Sequence, residues 1–215
     1  PVIQSIDRGA TFEEVVEFFD FLPENKGIML KAVAGGGGRG SRAVLKREEL
    51  ERSFRRCKSE ARRSFGNDDI YVEEFLPRTR HIEVQIVGDS DGEIIHLWDR
   101  ECSVQRRFQK LVEIAPAPNL SEEVRTQIIN SAMLLAKSVG YSNIGTFEFL
   151  VPSDRSNEEK PFVFIEANAR LQVEHTVTEE VTGIDIVQTQ IQIAEGATIS
   201  DLDIRNNSKQ PPVGF

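Results

Sequence analysis

A chain of 215 residues, 39% of them hydrophobic, is long enough for one large domain or two small ones, and its formal net charge of -9 argues against a general nucleic-acid binder, whose phosphate-reading surface carries excess Lys and Arg. Two cysteines, Cys57 and Cys102, supply neither a disulfide framework nor a CxxC metal spacing, so both thiols are expected free in a reducing compartment. No apolar run approaches the roughly 18 residues of a membrane span and the first residues form no leader segment, so a soluble cytoplasmic protein is expected, with no membrane partner.

Residues 11–21 predict the first helix: Thr11 and Glu14 have the spacing of a capping box, and Phe12, Val15, Val16 and Phe19 form an apolar stripe. Residues 27–34 (GIMLKAVA) predict a buried strand, the glycines at 35–38 a loop, and residues 41–46 a second strand. Together they make a hairpin whose glycine tip is expected to be mobile. The next helix covers 47–64, with Leu50, Phe54, Cys57 and Ala61 inward and a solvated outer face of mixed Arg and Glu. A strand over 70–76 (IYVEEFL) precedes two alternating strands, 81–87 and 93–98, joined by the turn 88–92. Ser121 caps a long helix to residue 139, with Val124, Ile128, Ala132, Leu135 and Val139 inward and Gly140 as its stop. Residues 145–151 form another strand, 152–161 a solvent loop, and 184–194 a last helix ending near Gly196. Helices alternating with mixed strands predict an α+β architecture, with a small hairpin-plus-helix lobe over residues 1–75 and a larger sheet in 76–215. The opening at Pro1 without Met and the stop just after Pro211 and Pro212 lead us to expect a piece of a longer polypeptide.

The chemistry concentrates in residues 162–178, FVFIEANARLQVEHTVT. At period two, Phe162, Phe164, Glu166, Asn168 and Arg170 share one strand face, which begins apolar and ends in charge. Gln172, Glu174 and His175 follow. These residues offer oxygen ligands for a hard cation, a planar cation for an anion, and a carboxylate able to take a proton. In GTFEFL, Glu148 shares a face with Thr146, while Phe147 and Phe149 point the other way. Glu148, Glu166 and the amide oxygen of Asn168 together suit magnesium, whose octahedron nucleotide phosphates would complete. The glycine loop is not a Walker A sequence, since no Gly-Lys-Ser/Thr follows, but successive glycine N–H groups can wrap an anion and Lys31 would supply charge. Residues 99–110 (DRECSVQRRFQK) hold polar groups that no core needs, among which Gln105 and Lys110 are expected to face a ligand.

The motifs KAVAGGGGRG, EEFL followed by RHIEVQI, RECSVQRRFQK, GTFEFL and EANARLQVEHTVTE occur in an order that closely resembles the biotin carboxylases, the ATP-grasp components of biotin-dependent carboxylases. Carbamoyl phosphate synthetases, which share the glycine loop and metal carboxylates, are the runner-up; a fragment that binds nucleotide without turnover is a third reading. The resemblance implies an incomplete ATP-grasp fold, with residues 1–75 as the lid lobe and 76–215 as part of the catalytic core. It implies that Lys31, Gly37 and Gly38 hold ATP phosphates, that Glu73, Glu74, Phe75 and Leu76 form the hinge at adenine, and that His81 and Gln105 lie near the nucleotide. Glu148, Glu166 and Asn168 would bind Mg2+ or Mn2+; Lys110, Arg170, Gln172 and Val173 would position bicarbonate; Glu174 would be its base, and Arg170 would also stabilise the biotin enolate. The implied partners are a biotin carboxyl carrier domain and a carboxyltransferase in an oligomeric parent, located in the cytoplasm or, in a eukaryote, the mitochondrial matrix. A domain before Pro1 and a biotin-contacting arginine beyond Phe215 are expected to be missing, so the 215 residues alone are expected to be inactive. Three positions depart from the family pattern: Phe108 replaces a common histidine, Glu74 a common lysine, and Thr176 a frequent proline.

Overall fold

The computed structural model describes residues 1–6, 9–24, 26–35, 40–106, 109–153 and 160–204. The chain divides into two compact units, the smaller containing Val2–Arg78 and the larger containing Thr79–Gln105 and the chain from Lys110 onward.

The smaller unit is a four-stranded antiparallel sheet with two helices. Its strands are β1 (Ser5–Ile6), β2 (Gly27–Ala32), β3 (Ser41–Val44) and β4 (Ile70–Phe75), in the order β1-β4-β2-β3. Helix α1 (Phe12–Phe21) starts at the predicted capping box, in which Glu14 N–H donates to Thr11 Oγ1 at 3.2 Å and Thr11 N–H to the Glu14 carboxylate at 2.9 Å. The reciprocal bonds satisfy two of the N–H groups that a helix start leaves open. Phe18 joins Val15 in the core although the sequence stripe omitted it. Helix α2 (Leu50–Phe65) buries Leu50, Phe54, Cys57 and Ala61 as its spacing predicts, and a 3-10 turn, Arg47–Glu49, precedes it. The Cys57 thiol donates to Gly40 O at 3.0 Å, and burial pushes it up to about 11, so it is inert at neutral pH. Gly40 has φ +69°, and a Cβ there would lie 2.9 Å from the Ala32 methyl, so the residue that closes the glycine hairpin has to be glycine. The rest of the expected mobile tip, residues 36–39, lies outside the described residues.

In the larger unit a five-stranded antiparallel sheet runs β7-β6-β5-β8-β9, from β5 (Thr79–Gly88), β6 (Ile94–Arg106), β7 (Gln109–Ile114), β8 (Asn143–Pro152) and β9 (Val163–Asn168). The predicted 93–98 strand is longer than expected, and β7 was not anticipated, because the polar residues of 99–114 mask the alternation on which a strand assignment rests. Helix α3 (Glu122–Ser138) covers one face, packing Ile128, Ile129, Ala132 and Ala136 against Ile82, Val84, Ile86, Phe147 and Phe149. Val139, expected inward, is 70% exposed; the buried stripe passes instead through Ile129 and Ala136, a helical face rotated from the predicted one. Opposite α3, Val87, Ile95, Leu97 and Ile144 pack with Ile186 and Ile193 of α5 (Ile186–Ala194). Between β9 and α5 lies an unanticipated helix, α4 (His175–Thr182).

The β8–β9 register corrects the period-two reading of β9. Glu148 pairs with Glu166, but the next residue, Phe149, pairs with Phe164, so the register shifts at Ile165. Such a bulge turns the strand over. Phe164 therefore packs with Phe147 and Phe149 on the α3 side, whereas Glu166 and Asn168 share the opposite face with Glu148 and Thr146.

His96 lies on β6, its Nδ1 accepting the Trp98 N–H at 3.3 Å and its ring edge-on to Trp98. Burial lowers His96 from 6.5 to about 4. The unfolded chain therefore binds a proton between these values that the fold refuses, so this part of the stability is complete above about pH 6.5 and is lost as pH falls toward 4. Urea melts at pH 7 and pH 4.5 should show that His96→Gln removes about 2 kcal/mol of the parent's pH-dependent loss. Parallel pH dependence in the two proteins would exclude His96 as its source.

Candidate active site

Alternation along β5 puts Ile82, Val84 and Ile86 toward α3, and so puts His81, Glu83 and Gln85 on the other face, beside Thr146 and Glu148 of β8. Arg100 and Cys102 of β6 complete this polar floor. Glu83 and Arg100 are fully buried and Glu148 and Glu174 nearly so, a placement that charged groups tolerate only when paired.

The pairing is dense. Arg100 Nε donates to Glu83 Oε1 at 2.6 Å, and its Nη atoms reach Gln85 Oε1 at 2.9 Å, Thr178 Oγ1 of α4 at 2.8 Å and Thr146 Oγ1 at 3.4 Å. Lys110 of β7 sends Nζ to the other Glu83 oxygen at 2.6 Å, to Glu148 Oε1 at 3.0 Å, and to Glu174, the N-cap of α4. Burial alone would lower the Lys110 pKa, but the charges of Glu83 and Glu148 outweigh it and raise it, so this ammonium stays charged.

Glu148 Oε1 also accepts from Gln172 Nε2 and Asn168 Nδ2, each at 2.9 Å, and His81 Nε2 lies 2.6 Å from Oε2 without hydrogen-bond geometry. On the other side of the ring, His81 Nδ1 lies 3.0 Å from Gln105 Nε2. Burial would raise Glu148, yet His81, the charge of Lys110 and the Gln172 bond hold it down at about 2. Asn168 Nδ2 also reaches Glu166 Oε1 at 3.1 Å and thus bridges the two carboxylates that the strand register sets opposite each other.

Two groups of potential metal ligands have their ligating atoms within 4.8 Å of one another: His81, Glu83 and Glu148, and Glu83, Cys102 and Glu174. Lys110 Nζ already sits among their carboxylates, so a cation there would meet an ammonium. The uncompensated charge lies toward Glu166, which has no cationic partner among the described residues. Four carboxylates (Glu83, Glu148, Glu166, Glu174) face two cations (Arg100, Lys110), an excess of two negative charges that one divalent ion would neutralise. Gln172 adds a buried Oε1 with no hydrogen-bond partner among the described residues, an acceptor open to a donor or a cation. Asn168 turns its Nδ2 to both carboxylates; with that amide turned over, its Oδ1 would join Glu148 and Glu166 in an oxygen set that suits a magnesium-type ion.

The structure thus brings His81, Gln105, Lys110, Glu148, Glu166, Asn168, Gln172 and Glu174 together within one unit. Arg170 is exposed, donating to Leu171 O at 3.2 Å, and Val173 is 88% exposed. In the smaller unit Lys31 pairs with Glu73 at 2.5 Å and lies over the Tyr71 ring, and Lys26 pairs with Glu74 at 2.7 Å. Phe75 and Leu76 are half-buried. Gly37, Gly38 and Phe108 lie outside the described residues. Sequence reading missed Glu83, Gln85, Arg100 and Thr178. For the first two the signal was available, since RHIEVQI places polar residues at every second position of a strand whose other positions are apolar.

Residues 1–202 match the family described as the carbamoyl-phosphate synthase L chain, ATP binding domain, and the chain belongs to that family. It is 54% identical over 200 residues to pyruvate carboxylase 1 of Caenorhabditis elegans, covering 93% of this chain and 16% of that protein. It is 50% identical over 199 residues to the pyruvate carboxylase of Bacillus subtilis, covering 93% of this chain and 17% of that one. Among solved structures, the biotin carboxylase–β,γ-ATP complex of Campylobacter jejuni superimposes with a TM-score of 0.85 at 44% identity, over 93% of this chain and 43% of that one. The biotin carboxylase domain of Hydrogenobacter thermophilus 2-oxoglutarate carboxylase, in complex with MgADP, ADP and bicarbonate, gives 0.85 at 41% identity with the same coverage. These likenesses bear out the resemblance to biotin carboxylases and the ATP-grasp fold. The chain spans about a sixth of the length of its pyruvate carboxylase relatives.

Lys110→Met would leave Glu83, Glu148 and Glu174 without the ammonium they share. Urea denaturation should show a loss of about 3 kcal/mol, part of it recovered by adding Glu174→Gln, which removes a carboxylate paired with Lys110 and leaves the Glu83–Arg100 pair intact. A Lys110→Met variant as stable as the parent would mean that the carboxylates do not depend on this lysine.

Proposed function

We propose that this segment is the ATP-grasp part of a biotin carboxylase, which activates bicarbonate with ATP as carboxyphosphate and carboxylates biotin on a carrier domain. The observation that carries the reading is the bulged β8–β9 pairing: it sets Glu148 against Glu166, with Asn168 between them, beside the Lys110–Glu174 pair. Mg2+ or Mn2+ bound there would neutralise charge on the transferring phosphoryl group.

The chain's own residues then have distinct work. Glu174 takes the proton of bicarbonate so that its oxygen can attack, and Lys110 holds Glu174 in place while supplying positive charge at the developing anion. Gln172, with its open Oε1, and the backbone at Val173 orient bicarbonate. Arg170, planar and permanently charged, serves bicarbonate and then the biotin enolate oxygen. His81 and Gln105, locked together by a hydrogen bond, lie at the nucleotide. Lys31, Gly37 and Gly38 of the lid lobe hold phosphates, and Glu73, Glu74, Phe75 and Leu76 border adenine.

The whole protein would carry a biotin carboxyl carrier domain and a carboxyltransferase in an oligomer, in the cytoplasm or the mitochondrial matrix. Identity of 54% to a pyruvate carboxylase favours pyruvate as the final acceptor.

In the full-length protein Glu166→Gln should lower ADP release in the presence of bicarbonate and biotin by about 100-fold with the fold unchanged. Turnover unaltered across a Mg2+ titration would remove the metal assignment. Parent activity indifferent to both bicarbonate and biotin would overturn the proposed reaction.

A further inference from the structure

Arg100 has no part in the roles described so far, yet it is the largest fully buried side chain of the described residues. Taking a guanidinium out of water costs several kcal/mol, and an apolar residue would usually hold a sheet together as well or better. What an apolar residue could not do is fork. Arg100 reaches two strands and a helix at once: Glu83 and Gln85 on β5, Thr146 on β8 and Thr178 on α4.

Two of these contacts converge on the same pair of groups. By occupying Glu83 Oε1, Arg100 leaves Oε2 for Lys110 and so sets where that ammonium sits. By binding Thr178, one turn along from Glu174, it ties down the helix whose N-cap carries Glu174. The amine is held from one side and the carboxylate from the other.

We infer that Arg100 is a positioning residue that fixes, through Glu83 and Thr178, the placement of Glu174 against Lys110. The inference rests on the role proposed above for that pair in activating bicarbonate. A lysine at this position would keep the charge and reach Glu83, but it lacks the planar fork that engages Gln85, Thr146 and Thr178 together. A displacement of about 1 Å at a catalytic pair costs on the order of 100-fold in rate.

The test uses Arg100→Lys and Thr178→Val in the full-length protein, with ADP release followed against bicarbonate and, separately, against ATP. Arg100→Lys should lower kcat/KM for bicarbonate by about 100-fold and Thr178→Val by about tenfold, while KM for ATP stays within about threefold in both. Arg100→Lys with kinetics like the parent's, or with the bicarbonate and ATP parameters falling together, overturns the inference. So does loss of the fold in both variants, which would make the contact purely structural. A parent protein whose ADP release ignores bicarbonate would instead sink the proposed function.

Discussion

One buried carboxylate organises the polar face of the larger sheet. Glu83 gives one oxygen to Arg100 and the other to Lys110, and from these two cations the contacts spread to β8, to α4 and to Glu148 and Glu174. Arg100 has no other carboxylate partner among the described residues, and Glu83 could not be buried without the two cations. The arrangement is costly as a source of stability and useful as a source of geometry. Glu83, Arg100, Lys110 and Glu148 are each held by at least two others, so their rotamers are set by the fold itself, which is the condition for preorganised electrostatics.

The sheet makes room for this network by dividing its two faces sharply. Toward α3, Ile82, Val84 and Ile86 of β5 and Phe147, Phe149 and Val151 of β8 are apolar, and packing against the helix secures the strands. The opposite face changes character along its length, from the apolar residues under α5 to the charged residues of the site. The bulge in β9 reconciles these demands at the edge of the sheet. It lets one strand deliver Phe164 to the core and, two residues later, Glu166 to the site.

Excess negative charge gives the site its direction. Lys110 satisfies the inner carboxylates, so electrostatic demand falls on Glu148, Glu166 and Asn168, where a divalent ion would balance the charge. In the smaller unit Lys31 and Lys26 are ion-paired with the β4 glutamates, so an anionic ligand there would compete with Glu73 for Lys31.

Much of this was legible in the residues alone. The capping box of α1, the buried stripe of α2, the antiparallel β5–β6 pair, and the candidacy of Glu148, Glu166, Asn168, Gln172 and Glu174 all follow from short-range patterns, because capping, periodicity and strand alternation act over a few residues. The length of β6, the existence of β7 and α4, the rotation of α3's buried face and the bulge at Ile165 were not legible in this way. Each depends on what packs or pairs with the segment from elsewhere in the chain. Arg100 marks the division most clearly. In sequence it is one charged residue in a polar run; only the fold, by closing Glu83, Gln85, Thr146 and Thr178 around it, supplies the partners that allow a charge to be buried.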